Sequence, residues 1–358
     1  MIRALNEMLS EILAERSLDW RLCFSRVVSQ PPEGRAVVCE CSDRAVLDEL
    51  RRRVAGAQWG AESGLIVYEA LPSVSAGLPA GLIGASSVAD VRRHPAHTAE
   101  LVTQIVYGDA VTPLKTEGDW YLVRVDDGYI GWIRSWHLYE LSVGEQESYK
   151  TRAAHRVATN HAVVLQSPEV DSLPVTDLVI GTPLQAGECG KRGWRTVRMP
   201  DGKEGFIMSR SIEKIPSGKR ISRDKLSSTG MRFLGIPYIW GGSTPKGFDC
   251  SGLIQRIFRL NGRLIPRDTD QQARVGLEKL AGPADPAAAR AGLCTGDLIF
   301  FGKKSQKISH VAMMLTEGLF LHAYGQVRVG SLDPQSHLFD AALVRDWKIS
   351  RDIVSTFK

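Results

Sequence analysis

The chain has 358 residues, of which 43% are hydrophobic, and this is enough for two or three domains with apolar cores of their own. Its 45 basic and 40 acidic residues leave a formal net charge of +5 at pH 7, which is too mild to indicate nucleic acid as a partner. No apolar run reaches the roughly 18 residues of a membrane-spanning helix, so we expect no membrane insertion. The sequence does not indicate the oligomeric state.

The first 75 residues combine apolar residues at helical spacing with short runs typical of strands. They predict a small α+β domain with helices at Ile2–Ala14 and Ala45–Val54 and strands at Trp20–Val28, Arg35–Cys41 and Leu65–Ala70. Nothing in this domain indicates a chemistry. The stretch Ser73–Gly84 is rich in Gly, Ser and Pro, and it predicts a linker.

The cysteines and the N-terminal residues give an expectation for the cellular location of the protein. The six cysteines are scattered without the spacing of a disulfide framework. Residues 1–10 lack the basic region and unbroken apolar core of a secretory signal, so we expect a cytoplasmic protein. Cys39 and Cys41 could be half of a metal site, but alternation in a strand puts both on one buried face. Because no second pair exists, packing is the favoured interpretation and we expect no metal.

Two similar β-rich segments follow, at residues 85–142 and 155–216. Each contains the pattern Trp-x-x-Val-Arg, then a turn, then Gly followed by Trp or Phe and Ile, beginning at Trp120 and at Trp194. Short strands at steady spacing with turn residues between them predict a small barrel in each segment. A generic β-sandwich is the alternative.

A candidate nucleophile lies near the C-terminal end. Ser251–Leu260 has the apolar spacing of an amphipathic helix, which Asn261-Gly262 ends with a left-handed residue. Asp249 is a plausible cap for this helix and places Cys250 at its first turn. There the N–H groups and the helix dipole favour a thiolate, which can attack a carbonyl if a histidine accepts its proton.

Two histidines follow on predicted strands. His310 opens the apolar run that ends at Leu315, and His322 ends the short run that begins at Leu319. Gly318 lies between the runs, so a tight antiparallel hairpin would bring both imidazoles together. A helix with Cys, a strand with His and a strand with a polar residue is the order of a papain-like nucleophile, base and orienting residue.

These residues lie within longer motifs that resemble a known family. Tyr238-Ile239-Trp240-Gly241-Gly242, followed by Phe248-Asp249-Cys250-Ser251-Gly252, is similar to the signature of the NlpC-type papain-like cysteine peptidases of bacterial cell-wall peptide metabolism. The motifs Gly296–Phe301 and Ser309–Ala312 fall in the same order. Within the family, residues 85–350 resemble the YkfC-like γ-D-glutamyl-L-diamino acid endopeptidases (dipeptidyl-peptidase VI type), which carry SH3-like domains ahead of the catalytic domain.

The resemblance implies a multidomain α+β architecture. An N-terminal α+β unit and two small SH3-like β-barrels would precede a papain-like, NlpC-type catalytic domain at residues 222–358. It also implies that Tyr238 stabilises the developing oxyanion, a contribution of roughly 3 kcal/mol per donor. The positions that match substrate contacts in the family are Tyr129, Trp240, Asp249, Ser251, Asp268, Thr269 and Ser309.

Three of these assignments keep an alternative. Asp249 either only caps the helix or also faces the ammonium group of the substrate, because a buried ammonium requires a paired charge. Trp240 is either a pocket wall or a core aromatic. Tyr129 either closes the cleft at the amino end of the substrate or belongs to the barrel surface. At Thr269 the family has Ser, so the hydroxyl is kept and a methyl is added.

The resemblance implies a murein-peptide substrate and no cofactor. The expected reaction is hydrolysis of the γ-D-Glu–L-diamino acid bond in peptides with a free N-terminal L-Ala, which releases L-Ala-D-Glu. An endopeptidase or amidase acting on intact peptidoglycan, with SH3-like domains as wall binders, is the alternative enzyme. A zinc site built from Cys250, His310 and His322 and a non-catalytic peptide-binding module are the other classes. The sequence does not distinguish Lys from diaminopimelate in the substrate.

Overall fold

The computed structural model describes residues 1–29, 36–57, 65–73, 77–216, 221–282, 290–303 and 307–357. The chain divides into two compact units. The first comprises Met1–Ile83, Arg92–Ala99 and Ala110–Gln146, and the second comprises Gly84–Val91, Glu100–Asp109 and Glu147–Lys358. No helix among the described residues is long and apolar enough to cross a membrane.

The first unit begins with the α+β arrangement expected from its sequence. Its elements are α1 (Ile2–Glu15), β1 (Ser25–Ser29), β2 (Val37–Cys41), α2 (Arg44–Gly56) and β3 (Ile66–Ala70). The strand order is β1-β2-β3, with an antiparallel and then a parallel pairing. Leu5, Leu9 and Ile12 lie at helical spacing on α1, and they form one core with the buried thiols of Cys39 and Cys41. Packing is therefore confirmed for both cysteines.

The predicted strand Trp20–Val28 is wrong in its first half. The backbone N–H groups of Leu22 and Cys23 both donate to the carbonyl of Asp19, at 2.9 and 2.8 Å, and this turn delays the strand until Ser25. Arg35, the first residue of the next predicted strand, lies outside the described residues.

The first β-rich segment contains seven strands. They are β4 (Gly81–Gly84), β5 (Val88–Arg92), β6 (Leu101–Val106), β7 (Ala110–Glu117), β8 (Trp120–Arg124), β9 (Ile130–Arg134) and β10 (Leu138–Leu141). Strands β7, β8 and β9 are antiparallel neighbours. The predicted linker is wrong at Gly81–Gly84, because Leu82 and Ile83 are fully buried and pair with β7.

The second β-rich segment lies wholly in the second unit. Helix α3 (Val143–Arg152) leads into it, and its strands are β11 (His155–Val157), β12 (His161–Leu165), β13 (Pro174–Val179), β14 (Pro183–Cys189), β15 (Trp194–Arg198), β16 (Glu204–Met208) and β17 (Ile212–Lys214). Their order is β13-β12-β16-β15-β14-β11-β17. Val164, Val197 and Ile207, on three of these strands, are buried in one core.

The C-terminal part of the second unit packs helices against a six-stranded sheet. The helices are α4 (Arg223–Met231), α5 (Cys250–Leu260), α6 (Thr269–Gln272) and α7 (Ala341–Arg345). The strands are β18 (Ser243–Thr244), β19 (Gly247–Phe248), β20 (Leu277–Ala281), β21 (Leu298–Phe301), β22 (His310–Met314), β23 (Leu319–Tyr324), β24 (Gln326–Ser331) and β25 (Trp347–Asp352). The six-stranded sheet has the order β20-β25-β21-β22-β23-β24 and is antiparallel at every described pairing.

The packing of α5 on this sheet fixes the position of its first residue. Leu253, Ile254 and Ile257 are fully buried and share a core with Val311 of β22 and Leu321 of β23. Because these strands carry the two histidines, the apolar face of α5 brings its N-terminal end to the same part of the sheet.

Candidate active site

Cys250 is the first residue of α5, one position earlier than the predicted start of the helix. Asp249 is the N-cap, as expected, and its Oδ1 accepts a hydrogen bond from the backbone N–H of Gly252 at 2.6 Å. Gly262, with φ of +76°, follows the other end of the helix in the left-handed region. The sequence pattern therefore located both ends of this helix.

The predicted hairpin of the two histidines is present. Strands β22 and β23 are antiparallel, with Met313 opposite Leu321, and Gly318 takes the positive φ of +78° that the turn requires. Nε2 of His310 lies 2.9 Å from Nδ1 of His322. The backbone N–H of Val311, the residue next to His310, lies close enough to Cys250 to lower the pKa of its thiol. The fold therefore assembles all three predicted residues in one place.

The helix start favours a thiolate at Cys250, but the surroundings of the thiol oppose it. Burial raises the pKa of the Cys250 thiol to about 11, and the charge of Asp249 acts in the same direction. Hydrogen bonds from Thr269 and from the N–H groups of Val311 and Ser251 lower this pKa, but they are outweighed.

The pKa values of both histidines are lowered, so both rings are neutral at neutral pH. Burial and the nearby Arg328 guanidinium lower the pKa of His310 to about 4. Burial, His310 and Arg328 lower the pKa of His322 to about 3. At neutral pH the resting site therefore holds a neutral thiol beside two neutral imidazoles.

Tyr238 lies in the same cavity as the histidines. The cavity has a volume of about 610 Å³, and its lining includes Tyr238, Ser309, His310, His322 and Tyr324. Burial and the nearby Cys250 and Asp249 raise the pKa of the Tyr238 hydroxyl. Tyr238 thus keeps its proton at neutral pH and can donate it in a hydrogen bond.

A buried ion pair supports the start of α5. Arg267, which is 1% exposed, donates from Nη2 to Asp249 Oδ2 at 2.7 Å and from Nη1 to Asp249 Oδ1 at 3.1 Å. Its Nη1 also donates to the hydroxyl of Ser251 at 3.0 Å, and its Nε donates to Thr103 at 3.0 Å. The sequence analysis missed Arg267, although the residue adjoins Asp268 and Thr269, because a lone arginine carries no signal of burial.

Both oxygens of Asp249 are engaged. Besides Arg267 and the cap contact with Gly252, Oδ2 accepts from the N–H of Gly241 at 3.0 Å, and Oδ1 accepts from Ser251 Oγ at 3.3 Å. A carboxylate has about four lone-pair sites, so a substrate ammonium would have to share an oxygen that already has partners.

The remaining predicted contacts in the second unit differ in exposure. Thr269 is buried, and its hydroxyl lies 3.6 Å from the Cys250 sulfur. Asp268 is the N-cap of α6, and its side chain is 24% exposed. Ser309 is exposed, and its N–H donates to the carbonyl of Phe301 at 2.9 Å.

The exposure of Trp240 and of Tyr129 bears on the alternatives that the sequence left open for these two residues. Trp240 is 64% exposed, and its indole N–H donates to Glu100 at 2.9 Å, so the core-aromatic alternative is wrong. Tyr129 belongs to the first unit and is only 2% exposed in the full chain. Its hydroxyl accepts a hydrogen bond from Nη2 of Arg93 at 3.2 Å.

A second arginine that the sequence analysis missed contacts His322. Arg328 lies directly opposite His322 in the β23–β24 hairpin, and its Nε donates to Nε2 of His322 at 3.3 Å. The two residues are equally distant from Gly325, which turns the hairpin with a φ of +72°, so the sequence did contain a signal for this pairing. Within the described ranges, no group of three or more Cys, His, Asp and Glu side chains is arranged to hold a metal ion.

Comparisons with known proteins agree with this geometry. Residues 235–347 match the model of the NlpC/P60 family, and residues 91–138 match the model described as a bacterial dipeptidyl-peptidase Sh3 domain. Dipeptidyl-peptidase 6 of Lysinibacillus sphaericus is 30% identical over 264 residues, which cover 70% of this chain and 92% of the relative. Gamma-D-glutamyl-L-lysine dipeptidyl-peptidase of Bacillus subtilis (strain 168) is 31% identical over 239 residues, which cover 62% of this chain and 71% of the relative.

A solved structure shows the same fold. The crystal structure of an NlpC/P60 family protein from Bacillus cereus ATCC 10987 matches with a TM-score of 0.63 at 22% identity, covering 76% of this chain and 99% of that chain. At this identity the likeness concerns the fold alone.

Proposed function

The chain belongs to the NlpC/P60 family and is a cysteine peptidase, and from this premise we propose that it hydrolyses the γ-D-Glu–L-diamino acid bond of murein-derived peptides. The substrate carries a free N-terminal L-Ala, and the product is L-Ala-D-Glu. One observation carries the proposal: the thiol of Cys250 lies beside the start of β22, where His310 is hydrogen-bonded to His322 at 2.9 Å. The name of the Bacillus subtilis relative supports the choice of bond.

The proposed reaction has two stages. His310 uses Nδ1 to take the proton of Cys250, because its Nε2 is engaged by His322. The sulfur then attacks the γ-carbonyl carbon of D-Glu. His310 passes the proton to the leaving amine of the diamino acid, and a thioester remains. Water, deprotonated by His310, cleaves the thioester and releases L-Ala-D-Glu with the free thiol.

Because the Cys250 thiol and the His310 imidazole are both neutral in the resting site, proton transfer between them accompanies attack on the bound substrate instead of preceding it. His322 orients the imidazole of His310 and stabilises its cationic form, the role of the third member of such a triad. Tyr238, protonated and in the same cavity, donates to the oxygen on which negative charge develops.

We further propose that the cleft is closed at the amino end of the substrate. Asp249 shares its carboxylate with the ammonium group. Trp240, exposed beside the motif, forms a wall of the cleft. Ser251, Asp268, Thr269 and Ser309 are the other proposed substrate contacts.

The proposed domain organisation follows the sequence expectations. Residues 1–75 form an α+β domain without an assigned role, residues 85–142 and 155–216 form two SH3-like domains, and residues 222–358 form the peptidase domain. The second barrel is supported by its repeat of the strand pattern of the first. A cytoplasmic location and a role in recycling wall peptides complete the proposal.

The test is cleavage of L-Ala-γ-D-Glu-L-Lys with a free amine and of its N-acetylated twin, followed by mass spectrometry. Hydrolysis of only the free peptide, lost in Cys250→Ala, is the expected result. Equal hydrolysis of both peptides would indicate an open cleft and would favour the alternative of an enzyme acting on intact peptidoglycan. Failure to cleave either peptide would refute the proposed bond.

A further inference from the structure

The hydrogen bonds behind His310 form a chain of three residues that ends at Arg328. A guanidinium nitrogen can only donate a hydrogen bond, so the 3.3 Å contact from Arg328 Nε requires a lone pair on Nε2 of His322. A neutral imidazole with a lone pair on Nε2 carries its proton on Nδ1. His322 therefore donates from Nδ1 to Nε2 of His310 across 2.9 Å.

This direction determines the tautomer of His310. Its Nε2 is the acceptor in the pair, so the proton of the neutral ring is on Nδ1. Nδ1 is also the nitrogen that has to accept the thiol proton in the proposed reaction. With Arg328 bound to His322, the neutral histidine pair is thus unable to act as the base.

In the tautomer that can act as the base, the hydrogen bond between the two histidines is reversed and the contact with Arg328 is lost. Nδ1 of His310 then has the lone pair, and its Nε2–H donates to Nδ1 of His322. The proton of His322 moves to Nε2, where it would face the N–H of Arg328. Water can exchange one proton on each ring without changing the number of bound protons, but the contact between Arg328 and His322 has to break first.

A second partner for Arg328 is already close. Its Nη2 lies 3.9 Å from Oδ2 of Asp340, and its guanidinium lies 5.2 Å from the centre of the Tyr324 ring. The Arg328 side chain is 43% exposed, so a change of rotamer meets little packing resistance. Asp340 can hold the guanidinium without giving up its role as the cap of α7, because that role uses Oδ1, which accepts from the N–H of Leu343 at 3.0 Å.

We propose that Arg328 is a positioning residue that moves between two partners, His322 and Asp340. On His322 it holds the histidine pair in the tautomer that cannot take the thiol proton, and on Asp340 it releases that pair for catalysis. This inference rests on the proposed roles of Cys250, His310 and His322.

The experiment measures the alkylation rate of Cys250 by iodoacetamide at neutral pH in the full chain. Peptide-resolved mass spectrometry separates this rate from the alkylation of Cys189 and Cys294, which are exposed. Arg328→Met removes the donor and should raise the rate at least about tenfold, because a hydrogen bond to a charged group is worth more than one factor of ten. Arg328→Lys keeps a charged donor and should stay near the wild-type rate.

Asp340→Asn separates this mechanism from a simple effect of charge. Asn retains the helix cap but loses the charge that attracts Arg328, so the alkylation rate should fall several-fold. In the Arg328→Met background the same change should have no effect, because there is no guanidinium to hold. A wild-type rate in Arg328→Met, or an undiminished effect of Asp340→Asn in that background, would overturn the inference.

Turnover of L-Ala-γ-D-Glu-L-Lys is the second measurement. The effects of Arg328→Met and Asp340→Asn should appear in kcat more than in KM, because the histidine pair changes while the cleft does not. If the wild type fails to cleave the peptide but the alkylation rates follow the expected order, the proposed substrate is wrong and the switch stands. Circular dichroism melting of each variant checks that it folds.

Discussion

The ion pair between Arg267 and Asp249 offers a quantitative test of how the site is held together. Arg267 is 1% exposed and Asp249 is 8% exposed, and two hydrogen bonds of 2.7 and 3.1 Å join them. Replacing Arg267 by Met leaves a buried carboxylate without its counter-charge. Breaking a buried pair in this way costs about 3–5 kcal/mol.

Asp249→Asn should be destabilising for a related reason. Asn can still cap α5, which keeps most of the roughly 1 kcal/mol of the N-cap, but Arg267 then becomes the unpaired buried charge. We expect each single variant to lose several kcal/mol of local stability. In the double variant Arg267→Met with Asp249→Asn, neither charge is left unpaired, so its loss should be at least about 2 kcal/mol smaller than the sum of the two.

The assay is native-state hydrogen exchange of the backbone amides of α5, residues 250–260, in the full chain, which reports the free energy of opening this helix. Arg274→Met is the matched control. Arg274 is 74% exposed and lies 3.6 Å from Asp270, so its loss should change stability by no more than about 0.5 kcal/mol. Additive single effects, or a loss for Arg267→Met as small as that of the control, would refute this account of the buried pair.

Four further predictions concern the titrating groups and the proposed catalysts. The pKa of Cys250, raised to about 11, means that alkylation of its thiol in the free enzyme should keep rising above pH 9, and a rate that levels off by pH 7 would contradict a neutral resting thiol. The pKa values of His310 and His322 are lowered from 6.5 to about 4 and about 3, so the stability that depends on their neutral rings is fully present above pH 6.5. It is lost as the pH falls from 6.5 toward these lowered values, by up to about 1.4 kcal/mol per pH unit for each ring. Chemical denaturation at a series of pH values should show this slope, and the slope should be smaller in His322→Gln. His310→Ala should abolish turnover, whereas His322→Gln should cost less than Cys250→Ala, as measured by kcat on the free peptide. Tyr238→Phe should lower kcat about 100-fold with little change in KM, and an unchanged kcat would remove Tyr238 from the oxyanion site.

The sequence determined the elements that depend on local pattern. The apolar spacing of α5, the cap at Asp249 and the glycine at position 262 define one helix and its ends, and Gly318 between two apolar runs defines the histidine hairpin. These signals lie within short stretches of chain, where side-chain periodicity and backbone freedom act directly. For that reason the sequence by itself predicts the trio Cys250, His310 and His322.

The tertiary structure alone determined the charges and partners of these residues. The helix dipole favours a thiolate at Cys250, but burial raises the pKa of the thiol, and burial depends on parts of the fold that the local pattern does not contain. Arg267 lies 18 residues from Asp249 along the chain, and only folding brings the two together in a site that excludes water. Sequence periodicity locates a side chain on a helix or strand, whereas its protonation state depends on burial and on neighbours distant in sequence.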